Sequence, residues 1–278
     1  MDTFKLFSWN VRQGGGKRIE RQLNEIKVIN PDIIALQEMT IHGISKYRAE
    51  QKNLGYHYVI DTFELFQGST ELNGPRKYGL LIACKWPLRI LAPFDIPWKE
   101  KVLGALIESP FGLIEIYNVH IPPGSSNGWI KIDTFEGIYD SLSTVCNHHR
   151  ILCGDFNSPQ LETNNGTIIT WGQRMAKDET WRIPKWGERW DKGERNVLEG
   201  LSEFDLNDVF RLLYGFSKQE YSFFLKNRSN VYPRRFDHCF ASSSLNPVEF
   251  NYLHELRENK LSDHSAVEVL FQPTIHKK

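Results

Sequence analysis

Residues 4–38 restrict the fold more than any other stretch. Phe4 to Val11 is an apolar run of strand length, Phe-Lys-Leu-Phe-Ser-Trp-Asn-Val. Gly14-Gly15-Gly16 follows as a flexible turn, and Ile19, Leu23 and Ile26 then recur at helical spacing from Lys17 to about Ile29. Asn30-Pro31-Asp32 ends that helix, because proline blocks its continuation. Ile33 to Glu38 is a second buried strand. A strand, a helix and a strand in this order predict an α/β arrangement with a right-handed crossover.

The chain beyond mixes further crossovers with hairpins. Ser45 to Leu54 reads as a weaker helix and His57 to Asp61 as a strand, while Gln67 to Pro75 is polar and loop-like. Tyr78 to Cys84, Leu88 to Phe94, Val102 to Glu108 and Leu113 to Ile121 are strand candidates, the last two joined by the turn Ser109-Pro110-Phe111-Gly112. Ile130 to about Cys146 carries Phe135, Ile138, Leu142 and Val145 on one helical face. An apolar strand then covers Arg150 to Phe156, and Gly154 is the point where its backbone is expected to bend and stop. Glu162 to Leu198 is the least regular part, with Trp171, Trp181, Trp186 and Trp190 among charged residues. It reads either as a substrate-facing insertion or as a long loop covering the core edge. A helix over Leu201 to Tyr214 precedes strands at Tyr221–Leu225, Phe236–Ala241, Val248–Leu253 and Ser265–Phe271. With 278 residues, no repeat and no clear linker, one domain over 1–278 is the simplest organisation.

Charge and cysteine content narrow the function classes. The 34 basic and 34 acidic residues cancel, so no whole-protein field draws in nucleic acid, and a polyanion would depend on local clusters. Candidate clusters are Arg12 with Lys17, Arg18 and Arg21; Arg76-Lys77; and Arg228 with Arg234-Arg235. Cys84, Cys146, Cys153 and Cys239 show no CxxC spacing and read as free, buried thiols of a reducing compartment. No apolar run is long enough to span a membrane. The N-terminal residues enter a strand pattern at once rather than a secretion signal, so a cytoplasmic location is expected. No protein partner is evident.

Polar residues recur where the predicted strands end. Asn10 closes the first strand and Glu38 the second, and His120 ends the run Ile-Glu-Ile-Tyr-Asn-Val-His. Asp155 and Asn157 end the next, two residues apart, and extended geometry would point them to one side. Asp237 sits in Arg-Arg-Phe-Asp-His, and Asp263-His264 in Leu-Ser-Asp-His-Ser. Singly, each is an ordinary cap, turn or surface residue. Together they place carboxylates, asparagines and histidines where layered α/β folds gather catalytic groups. Oxygen-rich donors favour a hard ion, Mg²⁺ or Mn²⁺, over zinc. Such an ion suits phosphate-ester hydrolysis, and a carboxylate beside it can orient and deprotonate water.

The motifs Ser-Trp-Asn-Val (8–11), Leu-Gln-Glu (36–38), Asn-Val-His (118–120), Gly-Asp-Phe-Asn (154–157), Arg-Phe-Asp-His (235–238) and Ser-Asp-His (262–264) resemble those of the endonuclease/exonuclease/phosphatase superfamily, in the family's order and over nearly the whole chain. The resemblance implies a four-layer α/β-β/α sandwich, two mixed β-sheets face to face with flanking helices. It implies Glu38 as the principal metal ligand, with Asn10 and Asp263 nearby, directly or through water. Asp155 would position or activate the attacking water, and Asn157 would orient Asp155 or hold a phosphoryl oxygen. His264, oriented by Asp237, would contact the scissile phosphate, while His120 would stabilise the transition state or assist the leaving group. Arg12, Arg76, Lys77 and Arg235 are the expected grips for substrate phosphates, and the tryptophan-rich segment could stack bases.

Two departures bear on the branch. Exonuclease III-type abasic-site enzymes carry tyrosine where this chain has His120. That points away from a dedicated abasic-site nuclease. Pancreatic-type deoxyribonuclease gives the histidine a carboxylate partner, whereas the comparable stretch here, Pro75-Arg76-Lys77-Tyr78, is basic. Glu64 or Glu71 would have to serve, or His120 acts without a partner. The expected activity is a metal-dependent phosphodiesterase, foremost a nuclease acting on DNA or RNA. The alternatives are a phosphatase or phospholipase-like hydrolase of a small phosphate ester or lipid head group, and an inactive binding module, against which the intact motif set argues.

Overall fold

The computed structural model describes residues 3–67 and 72–273. Its strands are β1 (Phe4–Asn10), β2 (Ile33–Met39), β3 (Tyr58–Asp61), β4 (Gly79–Cys84), β5 (Leu88–Ile90), β6 (Val102–Ser109), β7 (Gly112–His120), β8 (His149–Asp155), β9 (Asn207–Asp208), β10 (Phe223–Asn227), β11 (Asn230–Arg234), β12 (Asp237–Ala241), β13 (Pro247–Leu253) and β14 (Ala266–Phe271), besides two short ribbons between 161 and 182. The main helices are α1 (Ile19–Ile29), α2 (Ile41–Asn53), α3 (Ile130–Leu142), α4 (Glu188–Leu198) and α5 (Val209–Tyr214).

Two six-stranded sheets form, in the orders β13-β14-β1-β2-β4-β3 and β9-β12-β8-β7-β6-β5. Each holds one parallel pair, β1 with β2 and β7 with β8, and the remaining pairs are antiparallel. The parallel pairs are bridged by α1 and α3, the crossovers that such pairs require. Side chains between the sheets, among them Leu6, Ala35, Ala105, Ile116, Cys153 and Val269, form one core cluster. The outer face of the first sheet packs under α1 and α2 through Trp9, Leu23, Ile26 and Tyr47. That of the second packs under α3 and α4 through Phe135, Ile138, Leu152 and Val197. The architecture is thus the expected α/β-β/α sandwich.

Alternation along the strands builds the site. On β1 the residues facing the other sheet are Phe4, Leu6, Ser8 and Asn10; on β7 they are Ile114, Ile116, Asn118 and His120; on β8, Ile151, Cys153 and Asp155. Each series runs from apolar to polar toward one end of the sandwich. Just below that end Gln37 Nε2 donates to Ser8 Oγ at 3.1 Å and to Asn118 Oδ1 at 2.7 Å. Asn118 Nδ2 in turn donates to the carbonyls of Leu36 and Leu81 at 2.9 and 3.0 Å. All three side chains are buried, and this knot ties β1, β2, β4 and β7 together.

Several boundaries differ from expectation. Helix α2 starts earlier, at Ile41, because Thr40 caps it by accepting from the Gly43 amide. Helix α3 ends at Leu142 rather than near Cys146, and Val145 is exposed. Leu88–Phe94 pairs only as far as Ile90. The expected helix over Leu201–Tyr214 is broken: a 3₁₀ turn at Gly200–Phe204 ends where Asp205 takes φ 60°, β9 follows, and α5 begins under an Asp208 cap. Helix α4 emerges inside the irregular 162–198 stretch. Its buried face mixes Asp191 and Glu194 with Gly193, Val197 and Leu198, so it carries few apolar residues. Part of the Gln67–Pro75 loop lies outside the described residues.

Candidate active site

The sandwich brings the ends of β1, β2, β7 and β8 together with the start of β12 and the loop before β14. Register aligns them: His120 pairs with Asp155 across the parallel β7–β8 ladder, and Asp155 faces Asp237 across β8–β12. The strand does not stop at Gly154; it continues through Asp155. Gly154 takes φ 135°, and a Cβ there would lie 2.0 Å from the Val119 carbonyl oxygen. Only glycine lets β7 and β8 approach so closely beneath the carboxylate.

Asp155 is the centre. Its side chain is almost fully buried. Oδ1 accepts from the Asn157 amide at 2.9 Å, and Oδ2 accepts from Asn10 Nδ2 at 3.0 Å. Asn157 is not extended, as expected, but left-handed at φ 51°, so an Asx-type turn brings it back onto Asp155. Its Nδ2 donates to the Ile121 carbonyl at 2.9 Å and contacts Asp155 Oδ2 at 3.5 Å. Those donors are spent inside the protein.

His264 faces Asp155 from the other side. Its Nδ1 lies 2.8 Å from Asp237 Oδ2 and its Nε2 3.8 Å from Asp155 Oδ2. The ring packs on Phe223, with centroids 4.6 Å apart. Burial opposes charge on this imidazole, but the carboxylates of Asp237 and Asp155 overcome it and raise the pKa to about 10. For Asp155, burial disfavours the carboxylate and Asp237 adds repulsion, partly offset by His264, so the pKa is pushed up to about 7. His120 behaves oppositely to His264. Burial, with Lys101 and His264 nearby, holds its imidazole well below the usual range. Its Nε2 lies 3.9 Å from Glu38 Oε1 and 3.8 Å from Asp155 Oδ2, while Nδ1 is buried with no partner among the described residues. Glu64 does not serve it, being paired with Arg48. Glu71 lies outside the described residues.

Glu38 sits on a β-bulge at φ 57°, between the Leu36 and Met39 pairings. Oε1 accepts from Asn10 Nδ2 at 3.2 Å and Oε2 from the Gln13 amide at 2.7 Å. Gly14 seats this loop: its amide donates to the Glu38 carbonyl, and a Cβ at its φ of 69° would lie 2.2 Å from Thr40 Oγ1. Two carboxylates thus converge on the single Asn10 amide. Asp263 lies at the mouth, paired with Arg12 at 3.3 Å, both partly exposed. The donor atoms of Asp155, Asp237 and His264 also lie within 4.8 Å of one another. Within that trio Nδ1 of His264 is occupied by Asp237, and Oδ1 of Asp237 is buried without a partner among the described residues. An oxygen-rich set with an underneutralised buried carboxylate fits a hard divalent cation.

The phosphate grips separate. Arg12 stays at the site mouth. Lys77 lies over the Tyr78 ring at 5.0 Å and lines a pocket with Thr40 and Phe63, while Arg76 is clamped by Glu100 at 2.7 and 2.6 Å. Arg235 is a correction. It is buried and held by Glu162 and Asp208, each contact with Glu162 at 2.6 Å, so it braces the sheet edge instead of meeting substrate. Strand alternation sends its neighbour Arg234 the other way, over the Trp171 and Tyr232 rings at 5.7 and 5.4 Å.

Beside Asn157 opens an aromatic pocket of about 510 Å³, walled by Trp171, Trp186, Trp190, Phe223, Leu225 and Phe236. Lys131 is its hidden support. Nearly inaccessible to solvent, it donates to the Asn157 carbonyl at 2.8 Å and pairs with Glu194 at 3.1 Å. Trp171 Nε1 donates to the same carbonyl at 3.0 Å, and Trp190 Nε1 to Glu194 at 2.9 Å. Sequence reasoning missed Lys131, although a lysine four residues before Phe135 on an apolar helix face was a signal. It also missed Lys101, buried near Glu38, whose pKa burial lowers to about 8; in the charged run Lys99-Glu100-Lys101 nothing marked it.

A buried carboxylate that can take a proton from water, with an imidazolium held opposite, is chemistry suited to a hydrolase of phosphoric esters. Sequence comparison gives the family: the profile of the Endonuclease/Exonuclease/phosphatase family matches residues 7–264, and the chain belongs to it. Enzymes of this family depend on divalent metal ions. A comparison with curated proteins finds no match. Solved structures share the fold. An AP endonuclease from Archaeoglobus fulgidus aligns at TM-score 0.70 and 20% identity over 97% of this chain and 99% of the other. D. rerio TDP2 complexed with single-strand DNA product aligns at 0.66 and 14%, over 98% and 100%. The AP endonuclease LMAP from Leishmania major aligns at 0.66 and 17%, over 98% and 88%. Among the described residues no helix is long and apolar enough to cross a membrane.

Proposed function

We propose that the protein is a nuclease that hydrolyses phosphodiester bonds of DNA or RNA with Mg²⁺ or Mn²⁺ as cofactor. The observation that carries this reading is Asp155, buried between the Asn10–Glu38 face and the Asp237–His264 pair and flanked by the aromatic pocket. With its proton affinity raised to near neutrality, Asp155 is suited to take a proton from the attacking water. His264, kept cationic, faces the charge that develops on the phosphoryl oxygens. His120, kept neutral, stands beside both carboxylates and is placed to serve the leaving oxygen. Glu38 and Asn10 would hold the metal, with Asp263 at the mouth. Bound there, a divalent ion supplies Lewis-acid polarisation of a phosphoryl oxygen.

The rim supports a nucleic-acid substrate. Arg174 lies 4.4 Å above the Trp186 ring and Arg234 lies over Trp171, so cations and planar faces alternate around the pocket. The related folds include proteins named as AP endonucleases and a TDP2 holding single-strand DNA. A second reading, a phosphatase or phospholipase-like hydrolase of a small phosphate ester or lipid head group, draws on the pocket's largely apolar wall and the zero net charge.

Purified protein with Mg²⁺ or Mn²⁺ is expected to cleave single-stranded DNA, double-stranded DNA or RNA, and to stop with EDTA or Asp155→Ala. Turnover of a small phosphodiester alone would overturn the nuclease reading. Cleavage that survives both controls would overturn the assigned site.

A further inference from the structure

At the opposite end of the second sheet, a group of side chains unconnected with the hydrolytic site meets in one place. Helix α3 ends at Leu142, and the bend that follows carries Cys146 and His148 into β8. The parallel ladder pairs Glu115 with Arg150, and His148, two residues before Arg150, reaches Glu115 diagonally across the two strands. The sulfur of Cys146, a ring nitrogen of His148 and a carboxylate oxygen of Glu115 all lie within 4.8 Å of one another. His148 Nδ1 and Glu115 Oε1 are 3.3 Å apart.

We propose that Cys146, His148 and Glu115 form a second metal site, one that takes a single Zn²⁺-class ion and leaves its fourth position to water. The donor set argues for the ion. One thiolate, one imidazole and one carboxylate suit Zn²⁺ and not the hard ion of the hydrolytic site. Geometry agrees. With Zn–N and Zn–O bonds of about 2.0–2.2 Å at tetrahedral angles, the N···O edge comes to about 3.4 Å, close to the spacing already present. Charge agrees as well: binding releases the Cys146 proton to solvent, and thiolate plus carboxylate neutralise the dication.

The surroundings hold the ligands in place. The His148 backbone N–H donates to Cys146 Sγ at 3.4 Å, which holds the sulfur on the side of the bend that faces the imidazole. Tyr117 OH donates to Glu115 Oε2 at 3.3 Å, which leaves Oε1 turned toward His148. Buried Arg150 pins the bend by donating to the carbonyls of Leu142 and Thr144 at 3.0 and 2.8 Å. Cys146 and His148 are not fully buried, so an ion has a way in. Glu115 stands five residues before His120 on β7, roughly 16 Å away at strand rise, so the two sites are separate.

Cobalt(II) titration of the metal-free protein distinguishes them. The expected result is a thiolate-to-cobalt charge-transfer band in the near ultraviolet that saturates at one ion per chain and is abolished by equimolar Zn²⁺. It should persist in Asp155→Asn, disappear in Cys146→Ser, and need about tenfold or more cobalt in Tyr117→Phe. Cys146→Ser should keep wild-type phosphodiesterase activity with Mg²⁺, which also shows that it folds. Absence of the band in wild type, or its survival in Cys146→Ser, would reduce the group to a His148–Glu115 hydrogen bond beside an idle thiol.

Discussion

At the scale of single residues, the site spends stability on chemistry. Asp155 has a pKa near 7 in the folded protein against an ordinary 3.8, so between those values the folded state holds a proton that the unfolded state has released. Stability therefore falls as pH rises through that window. Asp155→Asn removes the buried charge and keeps an oxygen for one of the two donors, the Asn157 amide or Asn10 Nδ2. The variant is expected to lose at least about 10²-fold in kcat. In EDTA at pH 8 it should unfold at higher temperature than wild type, by about 1–2 kcal/mol, with the gain shrinking toward pH 4. Thermal melts across that range check it, and a lower melting point at pH 8 would contradict the buried-charge account. The candidate site residues were legible because Asn10, Glu38, His120 and Asp155 each close an apolar run, while Asp237, Asp263 and His264 sit just before one. Which of two adjacent arginines faces the substrate was not: Arg234 and Arg235 differ only by strand parity, and parity depends on where β11 gives way to β12.

At the scale of elements, the tryptophan-rich segment packs against the candidate site as well as over the core edge. Lys131, Glu194, Trp171 and Trp190 join α3 and α4 to the Asn157 carbonyl, two residues from Asp155. Trp171→Ala should raise KM for a nucleic-acid substrate by about 5–100-fold, as loss of one stacking face implies, with a smaller effect on a small phosphodiester. Equal loss on both substrates would mean that Trp171 acts through Asn157 and not by stacking. Helix α4 was hard to read because its inward face sets Asp191, Gly193 and Glu194 beside Val197 and Leu198, and the two carboxylates are satisfied partly by partners distant in the chain, Thr170 and the Trp171 amide. Likewise the break at Asp205 follows from a left-handed residue that no hydrophobic pattern encodes.

At the scale of the whole molecule, zero net charge leaves recognition to a few cations near the mouth. Nucleic-acid affinity should then depend weakly on salt. Two phosphate contacts, through residues such as Arg12 and Arg234, imply a fall of about tenfold between about 50 and about 200 mM salt. A binding titration at several salt concentrations measures the slope, and Arg234→Gln should lower it by about one contact. A fall of about 10³-fold or more would show a far more extensive basic surface. The sandwich itself was legible from the alternation of crossovers and hairpins together with the motif order. The pairing of the two sheets was not, because it rests on contacts between strands far apart in the chain.

The buried knot of Ser8, Gln37 and Asn118 adds a consequence of its own. Slipping β1, β2 or β7 by two places would set an aliphatic side chain against an amide that has lost its partner, at a cost of about 1–3 kcal/mol for each orphaned group. The knot therefore disfavours any slipped register of β1, β2 and β7, and with it any arrangement that would take Asn10, Glu38 and His120 out of mutual alignment.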